Sequence, residues 1–546
     1  MRSIVNGLLV LLLLAPLTAA QDKNQKAKPI DLSITAVGRQ HHPIHTKSKE
    51  AQEFFDQGIT LIYGFNHEEA ARSFQRAAEL DPTSPMPLWG VALAVGPNYN
   101  SNVDAEREKL ACQTIQKAQQ LASASPQVEK DYVAALATRY SGEANPDYKQ
   151  LSRNYALAMK ALSAKYPDDL DAATMYAESL MDLNPWKLWS ADGKPAENTL
   201  EIVTVLESVL ARNPEHAGAN HYYIHAVEAS PNPARALPSA RRLDTMVPQA
   251  GHLVHMPAHI YERTGDFDLA ARNNAEASKV DTMYAQEAGQ VGSMYDLMYH
   301  SHNEHFEVMA ASMEGNYSQA RKAADSMAAR LMPHVKMMPM LDGFIMAPIW
   351  VDVRFGKWQE VLARPEPLKE LAGTHVMWRY SRALALAANG KIAEAEKERE
   401  LSVTEVGAFP ADANFGEMNK AKDVLGVASH TIDARIAAAK GQKDAAIEHW
   451  TKAVAIQDTL NYDEPADWYY PVRESLGAAL LAAGKAPEAE AVFRVDLQQN
   501  PRNPRSLYGL MLALQAQGNA SDAAWVEAQF NAAWKNADAK LSLETM

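Results

Sequence analysis

Small and large apolar residues recur at helical spacing along this chain. Gly58 sits among Phe54, Phe55, Ile59 and Leu61, where a missing side chain lets a neighbouring helix approach closely. Ala70, Phe74 and Ala77 follow at i, i+4 and i+7, a small-large-small seam on one face of a partner helix, and Asp81-Pro82 ends the unit. The same order returns near the C-terminus as Gly477, Leu480, Ala489, Phe493 and Asn500-Pro501. Further turns between paired helices are marked by Gly265-Asp266-Phe267, Gly315-Asn316-Tyr317, Gly356-Lys357-Trp358, Asn389-Gly390-Lys391, Gly441-Gln442-Lys443 and Gly484-Lys485. The pattern predicts roughly ten to twelve helical hairpins, each burying its apolar faces only against its neighbours.

Composition agrees with helix throughout: Ala and Leu dominate and β-branched runs are scarce. Arg2, the apolar run 7–15 and the small-residue exit Pro16-Leu17-Thr18-Ala19-Ala20 have the form of a cleaved signal peptide over residues 1–20, which predicts a periplasmic or secreted protein. After signal cleavage no membrane span is expected. Cys112 is the single cysteine, so stability must come from packing and not from an internal disulfide. A formal net charge of −14, without a basic block, argues against nucleic acid as a partner. Residues 21–48 read as a flexible leader holding His41, His42 and His45, residues 49–537 as the repeat array, and 538–546 as a tail.

The chemistry concentrates in one stretch. His221, His225 and Glu228 form H-x3-H-x2-E, and His255, His259 and Glu262 repeat it 34 residues later. Positions i, i+4 and i+7 fall within roughly 60° on a helix, so each triplet projects from one face. An offset of one repeat turns both faces the same way. His302 and His305 stand before the Gly315 turn as His252 and His255 stand before the Gly265 turn, and Glu178 takes the matching place one unit earlier. His221, His225, Glu228, His255, His259, Glu262 and His305 are therefore candidate ligands of a divalent transition metal (Fe, Cu, Zn or Mn), with Glu178, His252 and His302 behind them. Helix-borne His and Glu facing inward is how bundle metalloproteins build such sites. Tyr222, Tyr223 and Tyr261 are candidate proton-transfer groups. Pro257 must either kink the second helix or mark a late start. Trp186 and Trp189 could wall the pocket or anchor their loop. The methionines from Met294 to Met346 read mainly as adaptable core, with Cu(I) binding as the other use. His67 reads as local to the first turn, and His375, His430 and His449 stand singly and read as structural.

The run Gly58, Ala70, Phe74, Ala77, Pro82 resembles the tetratricopeptide repeat (TPR), and the resemblance covers about residues 50–537. It implies an all-α, TPR-type α-solenoid, a right-handed superhelix whose concave groove is lined by the first helix of each hairpin. The histidine faces would then line that groove at about residues 170–310. Residues 63–70, 89–98, 220–230, 251–261 and 470–477 further resemble an exported bacterial subfamily of TPR proteins, which implies fold and export but no reaction. Three functions compete. The groove could hold a transition metal and serve a metal-dependent oxidoreductase or hydrolase. It could be a metal-free scaffold for a protein, peptide or small molecule. Or the chain could handle metal in the periplasm.

Overall fold

The computed structural model describes residue 29 and residues 40–143, 145–416 and 418–546. The signal-like run 1–20 and most of the leader lie outside the described residues. Helices follow one another in pairs: Lys49–Tyr63 with His67–Leu80, Met86–Val95 with Ala105–Ala122, Gln127–Ala137 with Tyr148–Lys165, and Leu170–Met181 with Thr199–Arg212. Ala217–Val227 with Leu237–Met246 continues the series, which runs on to Pro504–Ala516 with Ala520–Ala533. Each helix packs chiefly on those beside it in sequence. Among the described residues the sole sheet is the two-residue pairing of Asn414–Phe415 with Asn419–Lys420. The fold is all-α, a TPR-type α-solenoid.

The seams are those the sequence predicts. The Phe74 ring fills the space left by Gly58 and Gly90, where an added Cβ would lie 2.5 and 2.4 Å from it. Phe493 does the same between Gly477 and Gly509, at 2.3 and 2.1 Å. Replacing Gly58 by alanine gains about 1 kcal/mol of helix propensity but drives a methyl into a ring held from both sides. The expected net effect is a loss of about 1–2 kcal/mol, read as a lower thermal midpoint by circular dichroism.

The described chain divides into two compact units: residues 40–260 with Glu276–His300, and Tyr261–Ala275 with Ser301–Met546. In the first unit the stack returns on itself, since Lys49–Tyr63 also packs against Ala217–Val227. Gly218 permits this, because a Cβ there would sit 2.4 Å from the Tyr63 ring. Phe65, in the left-handed region at φ 56°, follows directly and is buried. The faces expected to line an open groove are thereby covered from within their own unit.

Residues 40–48, expected as part of a flexible leader, are pinned to the first unit instead. The Gln40 amide donates to Asp171 at 2.9 Å, His42 Nδ1 to the same carboxylate at 2.8 Å, and the Thr46 hydroxyl to Asp81 at 2.7 Å. The His45 backbone N–H donates to Glu129. These polar residues bind acceptors at the ends of helices, a signal that hydropathy does not carry. No helix among the described residues is long and apolar enough to cross a membrane.

Candidate metal centre

The Ala217–Val227 helix is buried along its whole length. His216 caps it, its Nδ1 accepting the Ala219 N–H at 3.1 Å. His221 and His225, one turn apart, face the interior, and Glu228 caps the C-terminal end. The second motif is split. Gly251–His255 is a five-residue helix and Pro257–Thr264 the next, because Pro257 has no N–H to continue the ladder. The break sits between His255 and His259, and both stay fully buried. His252, on the same face, is buried too, its Nε2 3.2 Å from His221 Nε2.

Hydrogen bonding sets the tautomers. His221 Nδ1 donates to the Tyr63 carbonyl at 2.5 Å, which leaves its Nε2 with a lone pair. His225 Nδ1 donates to Glu228 Oε1 at 2.7 Å, and His259 Nδ1 donates to Glu228 Oε2. One carboxylate thus holds two imidazoles from two helices, each with Nδ1 protonated and Nε2 stripped of its proton. Such outer carboxylates orient metal-binding histidines and raise their basicity. His225 Nε2 is buried and has no hydrogen-bond partner. His221, His225 and His252 each offer a ligand atom, all within 4.8 Å of one another. His255 Nε2 and His259 Nε2 meet at 2.6 Å, closer than the roughly 3.3 Å between two ligands on one tetrahedral centre with 2.0–2.1 Å bonds. That pair is joined by a hydrogen bond.

Burial, and then the neighbouring His225, pull His221 well below the ordinary imidazole range. Burial pulls His225 down as well, against the opposing charge of Glu228. Both imidazoles are neutral, the form that binds metal. Aromatic rings complete the surroundings. Phe65 stacks on His225 and His252 with centroids at 5.8 and 5.3 Å and meets His221 edge-on at 4.5 Å. Tyr299 stands edge-on to His252 at 5.2 Å. Trp186 stacks on Tyr99 and stands edge-on to His225, whereas Trp189 donates its indole N–H to the Ala226 carbonyl. One tryptophan walls the pocket and the other anchors the loop.

Burial, then the adjacent Asp182, push Glu178 well above the usual carboxylate range. Asp182 is in turn paired with Arg139. Tyr222 is buried edge-on to Tyr63, and the Tyr223 hydroxyl donates to Glu207 at 2.6 Å. Tyr261, Glu262, His302 and His305 belong to the second unit. There Tyr261 is buried, Glu262 half-buried, and His302 stands edge-on to Phe306. His305 packs on Phe344 and bonds to the Tyr469 hydroxyl, and burial lowers it to about 3. His67 Nδ1 donates to the Phe65 carbonyl at 3.0 Å and burial lowers it to about 4. Phe65 and Tyr99, which line the histidine cluster, carry no pattern of their own in the sequence; the nearest signal is their place in the 63–70 stretch and just beyond 89–98. His430 and His449, expected to stand singly, are 3.3 Å apart.

No family model matches the chain, and no curated protein matches it. Solved structures do. A human IFIT1 dimer with m7Gppp-AAAA is 14% identical, covering 90% of this chain and 91% of that one at a TM-score of 0.32. The yeast Tom70 is 13% identical, covering 87% and 97% at 0.33. The APC/C hetero-tetramer Cut9-Hcn1 is 12% identical, covering 90% and 95% at 0.30. Likeness this faint assigns neither ligand nor partner to the present chain.

Proposed function

We propose that the first unit holds a transition metal on His221, His225 and His252, with Glu228 as the positioning carboxylate. The observation that carries this reading is His225: its Nδ1 proton is committed to Glu228, while its buried Nε2 has no partner. A buried polar atom left so is costly, and a cation is the partner a bare imidazole lone pair accepts. A set of neutral imidazoles suits Zn, Cu or Fe. A bound ion there would act as a Lewis acid in a site shielded from bulk water. The protein's own part is to keep Nδ1 of His221, His225 and His259 protonated, to fix the rings, and to exclude solvent with Phe65, Tyr99 and Trp186.

The signal-like run 1–20 and the resemblance to an exported subfamily support a periplasmic or secreted location, testable by sequencing the N-terminus of the protein recovered from the native host. Elemental analysis of purified protein tests the metal. The expected result is stoichiometric transition metal, lost in His221→Ala and His225→Ala variants of unchanged helicity. A protein that arrives metal-free and takes up neither Zn(II), Cu(II) nor Fe(II) would leave the metal-free scaffold as the better reading.

Glu228→Gln is a finer probe. The amide has one acceptor oxygen for two Nδ1–H donors and turns its NH2 toward the other ring. That ring must shift its proton to Nε2: at His225 this removes a ligand lone pair, and at His259 it sets a second N–H against the His255 contact that orients the ring. Metal affinity is expected to fall about 10–100-fold, measured by chelator competition, with the fold intact.

A further inference from the structure

In the second unit, Ala421–Ala439 and Lys443–Gln457 form a hairpin whose turn runs through Gly441 at φ 74°. His430 and Asp433 stand at i and i+3 on the first helix, on one face. His449 comes across from the second. His430 Nδ1 and His449 Nδ1 lie 3.3 Å apart, and His449 Nδ1 is 3.7 Å from Asp433 Oδ2. All three donor atoms fall within 4.8 Å of one another, and all three residues are partly exposed.

We propose that His430, Asp433 and His449 form a second metal site, open to solvent, that takes a divalent transition cation such as Zn(II) and staples this hairpin. The inference is independent of the buried centre. Bonds of about 2.0–2.1 Å at tetrahedral angles place neighbouring ligands about 3.3 Å apart, which is the spacing of the two Nδ1 atoms here. Two neutral imidazoles and a carboxylate on one side of the ion leave its other positions to water. The two rings face each other through the same kind of nitrogen, so without a cation one must act as donor and the other as acceptor. A cation satisfies both lone pairs at once, and the half-exposed position lets it enter and leave without opening the core.

The site is not optimised for affinity. Arg399, from the neighbouring Ile392–Ala408 helix, grips both oxygens of Asp433. Lys452 lies on the His449 helix and is paired with Glu448 at 2.7 Å. An arriving cation must share Asp433 with a guanidinium, so binding is expected to be reversible and responsive to the free metal concentration. When bound, it adds a link between the two helices and stabilises the hairpin in proportion to saturation.

The test uses the full chain and Zn(II). Wild type is expected to bind one more equivalent than the His430→Ala/His449→Ala double variant, in chelator competition and in elemental analysis after dialysis. Without added metal the two proteins should share the same helicity and thermal midpoint, since both side chains are partly exposed. Arg399→Gln is expected to raise the affinity of this equivalent about tenfold by removing a like charge, and Asp433→Asn to lower it. Equal Zn(II) stoichiometry in wild type and the double variant would overturn the site. An affinity indifferent to both Arg399→Gln and Asp433→Asn would remove Asp433 from it and overturn the three-ligand assignment.

Discussion

Replacing Asp171 by alanine is expected to cost the first unit about 3–5 kcal/mol, because the carboxylate is a buried acceptor on which four donors converge. Oδ1 receives the Tyr63 hydroxyl at 2.5 Å, the Gln40 amide at 2.9 Å and His216 Nε2 at 3.2 Å, while Oδ2 receives His42 Nδ1 at 2.8 Å. Three of the four crowd Oδ1, which has about two lone-pair sites, so the His216 contact is the weakest, and His216 Nε2 has a second partner in the Thr174 hydroxyl at 3.4 Å. Alanine leaves the buried Tyr63 hydroxyl and His42 Nδ1 without this acceptor. Asparagine is little better, since its NH2 would face donors. The effect should be read as lost exchange protection in Lys49–Tyr63, Leu170–Met181 and Ala217–Val227, since a chain of two units need not unfold in one step. The damage should reach the histidine cluster, because Tyr63 donates its hydroxyl to Asp171 and accepts His221 Nδ1–H at its carbonyl. Unchanged protection in those three helices would refute the role given to Asp171.

The same network sets a pH signature. Burial works to raise Asp171, but hydrogen bonds from His216 and His42 outweigh it and hold the carboxyl far below its usual range. A depressed carboxylate contributes stability above its unfolded value of about 4 and loses it as pH falls through the folded value. Burial works to lower His42, but the Asp171 hydrogen bond and charge raise it above 6.5. A raised histidine contributes fully below about 6.5 and loses that contribution as pH climbs through the folded value. The gap between wild type and Asp171→Ala should therefore be widest at about pH 4–6.5 and narrow on either side.

Local patterns were legible in the sequence and contacts across the stack were not. Gly58 with Phe74, and Gly477 with Phe493, are short-range pairings written into one hairpin, and the structure seats both rings as the pattern predicts. The shared face of His221 and His225 follows from helix geometry alone. Closure over that face comes from residues far earlier: Tyr63 meets His221 across 158 positions, and no period announces it. The place of Glu228 on the histidine face predicts a ligand. Its position as the helix cap instead lets one carboxylate reach His225 and His259 together. His252 shares a helix face with His255 and His259 at i, i+3 and i+7, and the structure brings its Nε2 to His221 across the two helices. His430 and His449 stand 19 residues and a turn apart in the sequence, yet antiparallel pairing of their helices brings them into contact.

In the second unit, Glu474→Ala should likewise cost about 3–5 kcal/mol, because it strands a buried cation. Glu474 accepts both terminal nitrogens of Arg354 and the Asn503 amide, and Arg354 and Glu474 are almost wholly buried. Arg505 lies alongside, donating to the Arg354 carbonyl at 2.5 Å, and burial followed by the Arg354 charge lowers it to about 9. Removing Glu474 would leave two buried guanidiniums side by side with their counter-charge gone. Part of the loss should return, since burial and then the charge of Glu474 raise Asp496 to about 6. A raised carboxyl stabilises below its unfolded value of about 4 and loses that contribution as pH rises through the folded value. Wild type should thus weaken between about pH 4 and 6, and Glu474→Ala should lose the part of that slope that the Glu474 charge adds to burial. Replacing both partners, Arg354→Met with Glu474→Leu, removes the stranded charge along with its partner and should recover most of the stability, as apolar replacements of buried pairs often do. Denaturant unfolding of the three proteins at pH 5 and 7 decides the matter. A double variant as unstable as Glu474→Ala would mean that shape, and not the uncompensated charge, sets the cost.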